Sequence, residues 1–253
     1  MSKETEKRRT TGSLRPSLVK IVRATGGGPI RTILERGHRK PTGVFTSRKN
    51  RRAFAWEAID ERHFMWISEV DYRVTSFLVQ PFRMEFHFAD GDRMDYFPDI
   101  ERRLGPKIEI IEIKKTQAEI AKDPRYASKI ALARVVCRKK GWTFRVVAAE
   151  TDILPTLALA NAKLIRLDRF TAIGTEDHLR LGELMRLGRG RTTYAKAVAA
   201  LSRRDDPWDR DGTARLHAMI VRGEVCIDIT RSIRPESIVF SSDETFRRPA
   251  VAA

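Results

Sequence analysis

Apolar residues over Phe54–Ser68 recur at helical spacing, and the length suits a helix with Phe54, Glu57, Ala58, Glu61, Phe64 and Met65 on one side. Val74–Gln80 and Phe82–Phe88 then read as strands parted by Pro81. The turn Ala89-Asp90-Gly91-Asp92 joins Phe82–Phe88 to Arg93–Arg103 as a hairpin. After Gly105-Pro106 comes Lys107–Lys115, a strand rich in isoleucine. Pro124 opens a helix that runs to Lys140 and stops at Gly141, and Trp142–Ala149 is a last strand. Helix, strands, helix, strand is a mixed α/β layer with one covered sheet.

Asp152–Phe170 reads as a helical connector. Beyond it, Glu176–Leu187, Thr192–Leu201 and Gly212–Arg222 read as short helices, Val225–Ile229 and Ile238–Phe240 as short strands, and Gly188–Arg191 as a turn. Three helices followed by a hairpin outline a winged helix. The pattern divides the chain into an arm over 1–42, an α/β body over 43–150, a connector over 151–170 and a small domain over 171–253. The arm has only short apolar groups such as Leu18, Val19, Ile21 and Val22, and is expected to be partly ordered at most, docking near Val44-Phe45.

Charge separates these regions further. Of 253 residues, 49 are Lys or Arg and 33 Asp or Glu, a net +16. Residues 1–52 hold 15 basic and 3 acidic side chains, so three quarters of the excess lies in this N-terminal stretch, as expected of a segment that meets a polyanion. The connector and small domain together, residues 151–253, carry only +3. That is a poor electrostatic grip on DNA and favours a protein partner for it. No apolar run reaches the length of a membrane helix, and MSKETEKRR lacks the apolar stretch of a signal peptide. Cys137 and Cys226 suggest no disulfide framework and a reducing, cytoplasmic setting. The histidines lack zinc-site spacing, and Gly26-Gly27-Gly28-Pro29 is not followed by Gly-Lys-Ser/Thr, so it is no P-loop. The acids Asp205, Asp206, Asp209 and Asp211 around Pro207-Trp208 lack the glycine and distal glutamate of a calcium loop and read as a helix cap.

The chemistry concentrates on Lys107–Lys115. Alternation puts Ile108, Ile110, Glu112 and Lys114 on one face, which starts in the core and ends in two opposite charges. A cross-strand salt bridge explains such an end, and so does a metal bound by the carboxylate beside the lysine. Pro98 cannot donate to a ladder, so it marks a bulge or edge that re-aims Asp99 toward Glu112 and Lys114. Two carboxylates and a lysine suit Mg²⁺, completed by waters and phosphate oxygens. Glu57 offers a third carboxylate from the first helix, although a pairing with Arg62 accounts for it equally well. Lys115, on the opposite face, reads as solvated.

Pro98-Asp99 and, thirteen residues on, Glu112-Ile113-Lys114 resemble the PD-(D/E)xK nuclease signature, with Glu57 upstream as in many members. Gly43-Val44-Phe45-Thr46-Ser47-Arg48-Lys49, Trp56-Glu57-Ala58-Ile59-Asp60-Glu61-Arg62-His63-Phe64 and Val79-Gln80-Pro81 resemble the N-terminal domain of TnsA transposon endonucleases, over about 43–150. Ala58 stands where that family usually has serine, and Glu112 occupies the variable acid position. The resemblance implies a restriction-endonuclease-like mixed sheet flanked by helices, with the winged-helix-like domain behind it. It implies a Mg²⁺-dependent DNA endonuclease (Mn²⁺ substituting), with Asp99, Glu112, the Ile113 carbonyl and Glu57 around the metal and Lys114 orienting the attacking water. Gln80 is an accessory that hydrogen-bonds into the site or packs at a strand end. Implied partners are double-stranded DNA, a separate transposase subunit and an AAA+ ATPase regulator. A stand-alone restriction or repair nuclease, or a catalytically silent DNA-binding adaptor, remains the alternative.

Overall fold

The computed structural model describes residues 15–31, 41–204 and 209–242. The expectations for the rest of the arm, and for Asp205, Asp206, Pro207 and Trp208, lie outside the described residues. In chain order the elements begin with β1 (Leu18–Val22), β2 (Gly43–Ser47), β3 (Arg52–Trp56), α1 (Ile59–Val70), β4 (Ser76–Val79) and β5 (Arg83–His87). Next come β6 (Arg93–Tyr96), β7 (Ile100–Leu104), β8 (Lys107–Lys114), the one-turn α2 (Ala118–Ala121), α3 (Pro124–Lys139) and β9 (Thr143–Ala148). A π-turn at Ala149–Ile153 leads to α4 (Leu157–Leu167), α5 (Thr175–Leu187), β10 (Arg191–Thr193), α6 (Tyr194–Leu201), α7 (Asp211–Val221), β11 (Val225–Ile227) and β12 (Ile238–Ser241).

The first expected helix is shorter than its pattern. Arg52–Trp56 is a strand paired antiparallel with Gly43–Ser47, and α1 starts only at Ile59. Phe54 and Trp56 satisfy a two-residue period as well as a helical one, and both turn inward, 1% and 7% exposed. The pairing partner, at the start of the expected body just after the arm, tips the choice. Glu57 therefore lies in the bend before α1 and not on the helix. Gly43 is forced by that hairpin, since a Cβ there would come within 2.6 Å of the Trp56 ring.

The arm also yields a strand. Leu18–Val22 pairs with β5, so this segment docks on the sheet β1-β5-β6 and not at Val44-Phe45. The single long hairpin strand expected over Arg93–Arg103 breaks at Pro98, whose missing N–H ends the ladder. Its first half, β6, stays with β5, and its second half, β7, joins the mixed sheet β4-β7-β8-β9, where β8 and β9 run parallel.

Strand β8 sits between two cores. Ile110 packs with Phe82, Met84, Phe86, Ile130 and Cys137 beneath α3, while Ile111 and Ile113 face Phe64, Met65 and Phe77 beneath α1. The second cluster extends without a break through α4, α6 and α7 to Val239. The small C-terminal unit is thus welded to the body through α1 and α4. Its three helices pack on an antiparallel sheet of order β10-β12-β11, in which Arg191–Thr193, expected as the end of a turn and the start of a helix, is the third strand. The whole is the expected mixed α/β architecture, several sheets flanked by helices, consistent with a restriction-endonuclease-like fold. Both cysteines are buried, and neither forms a disulfide among the described residues.

Helix α3 starts at a cap with consequences for the site. The Asp123 carboxylate accepts from the N–H groups of Arg125 (2.9 Å) and Tyr126 (3.1 Å), and Pro124 fills the first helical position. Asp123→Ala is expected to cost about 1 kcal/mol in denaturant unfolding. An unchanged midpoint would mean that Pro124 alone sets this helix start.

Candidate active site

Asp99 enters the sheet immediately after Pro98. Its N–H donates to the Ile111 carbonyl (3.1 Å) and its carbonyl accepts from the Gln80 N–H (2.7 Å), so its backbone is clamped between β4 and β8. Past the last registered pair, Ile100 with Ile111, the Asp99 carboxylate replaces the ladder and accepts from the Ile113 N–H at 2.6 Å. Glu112 points toward α3 and is 2% exposed. Its Oε2 accepts from the Tyr96 hydroxyl (2.6 Å), and its Oε1 accepts from the Tyr126 hydroxyl and pairs with Lys114 Nζ (2.8 Å). Lys114 also lies 4.7 Å from the centre of the Tyr126 ring, a cation–π contact.

Electrostatically the cluster is crowded with negative charge. Loss of solvent, then Glu112 and Glu61, push the Asp99 carboxyl well above the usual range, against a smaller pull from Lys114. Burial disfavours charge on Lys114, but Glu112 and Asp99 outweigh it and hold the ammonium above its ordinary value. It is therefore a donor and not a base at neutral pH. Burial followed by Glu112 raises both the Tyr96 and Tyr126 hydroxyls, which stay protonated and keep donating.

The expected residues Asp99, Glu112, Ile113 and Lys114 thus meet at one end of β8. Glu57 stands apart: its carboxylate accepts from Gln80 Nε2 (3.3 Å) and lies 3.7 Å from Arg31. The acid of this helix whose charge reaches Asp99 is Glu61, in the first turn of α1, with its own carboxyl raised chiefly by burial. Glu61 Oε2 also accepts from the Glu57 N–H (2.9 Å). Four residues separate the two acids, so both lay on the expected helical face, and only the true helix start distinguishes them. The tyrosines that hold Glu112 carried no sequence signal.

Gln80 is strained, with φ of 42° ahead of Pro81, a conformation uncommon for a residue with a side chain. Its Oε1 is buried without a partner. Ser47 and Lys49, from the upstream Gly-x-x-x-Ser-x-Lys stretch, serve elsewhere. Ser47 Oγ donates to Glu69 (2.6 Å), and Lys49 Nζ donates to the Ser68 and Asp71 carbonyls (2.8 Å each), tying the β2–β3 hairpin to the end of α1. Burial lowers Lys49 to about 8. Lys115 is exposed, with Glu150 3.6 Å away.

Carboxylate oxygens are the donors that a hard cation takes. Oxygen donors converge where the charges of Asp99, Glu112 and Glu61 face Lys114, and an orphaned amide oxygen lies on Gln80 nearby in the chain fold. Among the described residues no three His, Cys, Asp or Glu side chains are spaced to hold an ion as they stand. Asp99 and Glu112 as ligands therefore need waters or a main-chain carbonyl to fill the shell. Glu112 retains an unused lone pair after its three contacts.

This end of β8 falls inside a segment that is similar to a known family. Residues 71–149 match the family described as TnsA-like endonuclease N terminal. The match runs from the end of α1 to the residue after β9, roughly a third of the chain, and includes Asp99, Glu112 and Lys114. It bears out the TnsA-like resemblance and supports a nuclease of that transposition family. Glu57, Glu61 and the Ser47–Lys49 stretch precede the matched segment. No curated protein matches the chain. Among the described residues, no helix is long and apolar enough to cross a membrane.

Proposed function

We propose that the chain is a Mg²⁺-dependent DNA endonuclease, the strand-cleaving subunit of a heteromeric transposase acting at transposon ends. The observation that carries this reading is the meeting of Asp99, Glu112 and Lys114 at the C-terminal end of β8, in a segment that matches TnsA-like endonucleases. Asp99 and Glu112 would hold the ion, with the Ile113 carbonyl and water, and Glu61 in place of Glu57 supplying the third carboxylate charge. Bound there, Mg²⁺ supplies Lewis acidity and neutralises charge on the phosphate.

The chain's own residues do the rest. Lys114, kept protonated, orients the attacking water and donates to a phosphoryl oxygen; as the water oxygen bonds to phosphorus and the P–O bond of the leaving strand breaks, the water's proton passes to solvent and the departing oxygen takes one from solvent. Tyr96 and Tyr126 fix the carboxylate plane of Glu112, which orients Lys114 in turn. The C-terminal unit is a winged-helix module, supported by its strand order β10-β12-β11 beneath three helices. It docks a protein partner, the transposase subunit or an AAA+ ATPase regulator, while the basic N-terminal region supplies sequence-independent DNA affinity.

One observation favours a second reading, the catalytically silent adaptor: Glu112 is already engaged by Lys114 and two tyrosines. Nicking of supercoiled plasmid by the full chain, assayed with its partner proteins, separates the two. Nicking that needs Mg²⁺ or Mn²⁺ and stops with chelator is the expected result; binding without nicking in the complete assembly would establish the adaptor.

A further inference from the structure

A recess of about 360 Å³ opens between α1 and α4, lined by Arg62, His63, Trp66, Lys163, Arg166 and Arg169. Four of these side chains are cationic, and among the described residues none of the four forms an ion pair. Arg62 and Arg166 lie over the Trp66 ring, at 4.7 and 4.2 Å from its centre, so one indole carries two like charges. Arg62 also covers Trp56 and Arg166 covers Phe45. Arg166 is only 8% exposed and His63 7%, and the Nε atoms of both arginines and Nδ1 of His63 are buried without partners.

Such an arrangement is costly for a folded chain alone. A buried, unpaired charge loses its hydration without compensation. The carboxylate that acts on Arg166 is Glu69, and its oxygens are taken by Ser47 Oγ and the N–H groups of Arg48 and Lys49. Burial, then Arg169 and Arg62, lower Arg166 to about 10, the mark of a cation that lacks a counter-charge. Aromatic faces position the guanidinium groups without neutralising them, which leaves their donors for an external oxyanion. Guanidinium and ammonium groups together match the oxygens of a phosphate.

We propose that this recess is a phosphate-binding site, and that its phosphate belongs to the backbone of the DNA gripped beside the carboxylate cluster. The choice of DNA as the source rests on the nuclease reading above; the phosphate chemistry does not. Arg62 directly follows Glu61, whose charge acts on Asp99, so the first turn of α1 joins the two sites. Arg62 and Arg166 grip from the floor, while Lys163, exposed, and Arg169, half-buried, close over the anion.

The test titrates inorganic phosphate into the full chain against sodium chloride at matched ionic strength, reading the thermal midpoint. Wild type is expected to be stabilised by phosphate beyond the chloride control. The double variant Lys163→Ala/Arg169→Ala, at positions open enough to leave folding intact, should need at least about fivefold more phosphate for half the effect, a change of roughly one charge-assisted contact. In duplex binding the same variant should lose about 0.9 from the slope of log K against log[salt] for each phosphate contact removed. No phosphate-specific stabilisation of wild type, or an unchanged titration in the variant, overturns the proposal. Stabilisation by polyglutamate but not by phosphate also overturns it and assigns the recess to an acidic protein segment. A phosphate response that the variant weakens, with an unchanged DNA slope, overturns DNA as the source. Failure of the chain to nick DNA leaves all these readouts intact and tells against the nuclease reading alone.

Discussion

Asp99→Asn is expected to move activity and stability in opposite directions. Cleavage should fall by roughly 10³-fold, since the change removes a carboxylate proposed to hold the cation whose charge stabilises the transition state. In metal-free buffer the same variant should unfold at a higher temperature than wild type. The Asp99 carboxyl is desolvated and flanked by Glu112 and Glu61, so its ionised form is the costly partner in the resting fold. An asparagine still accepts from the Ile113 N–H through its amide oxygen and carries no charge. Each 1 kcal/mol gained raises the midpoint of a chain this size by about 2–4 °C. Lys114→Ala should match it in lost cleavage but destabilise the fold, because it strips Glu112 of its counter-charge at a position 2% exposed. Both variants should bind duplex DNA within a few-fold of wild type. Full nicking by either, assayed with every partner wild type needs, would remove this cluster from the mechanism.

Magnesium should stabilise the protein, and more so at higher pH. A carboxyl whose folded-state pKa is raised contributes stability that is complete below its unfolded value, about 3.9 for aspartate, and is lost as pH rises through the folded value. Glu61 shifts in the same direction. Between about pH 4 and the raised values, metal-free protein should therefore lose stability as protons leave this cluster. A cation replaces the lost protons. At a Mg²⁺ concentration 100 times its dissociation constant, the gain is about 2.7 kcal/mol. That corresponds to about 5–10 °C at this chain length. The shift should be large at pH 8, small at pH 5 and nearly absent in Asp99→Asn. Equal shifts in wild type and variant at pH 8 would place the ion somewhere else.

Much of the site was readable along the chain because β-strand alternation is local. Asp99 after Pro98, and Glu112 and Lys114 two apart, follow from a proline that ends a ladder and a period of two, and both hold in the fold. Glu57 shows where local reasoning stops. A window containing Phe54, Trp56 and Phe64 fits a helix as well as a strand followed by a helix. The strand wins because Gly43–Ser47, just past the basic arm, pairs with it. That long-range pairing moves the helix start to Ile59 and puts Glu61 in the first turn, where its charge reaches Asp99.

The sequence by itself determined the α/β class, the β8 strand with its charged end, the bulge or edge at Pro98 that re-aims Asp99, the start of α3 at Pro124 and the basic excess near the N-terminus. Each depends on neighbours within a few residues, where backbone geometry and side-chain period act directly. Only the tertiary structure decided which acid of α1 joins the site, that Tyr96 and Tyr126 hold Glu112, that Leu18–Val22 is a sheet strand, and that Arg62 and Arg166 share one indole without a counter-charge. Those features depend on residues dozens of positions apart being brought into contact, and the burial that shifts Asp99 and strands the arginines exists only once the two cores close around β8 and α1.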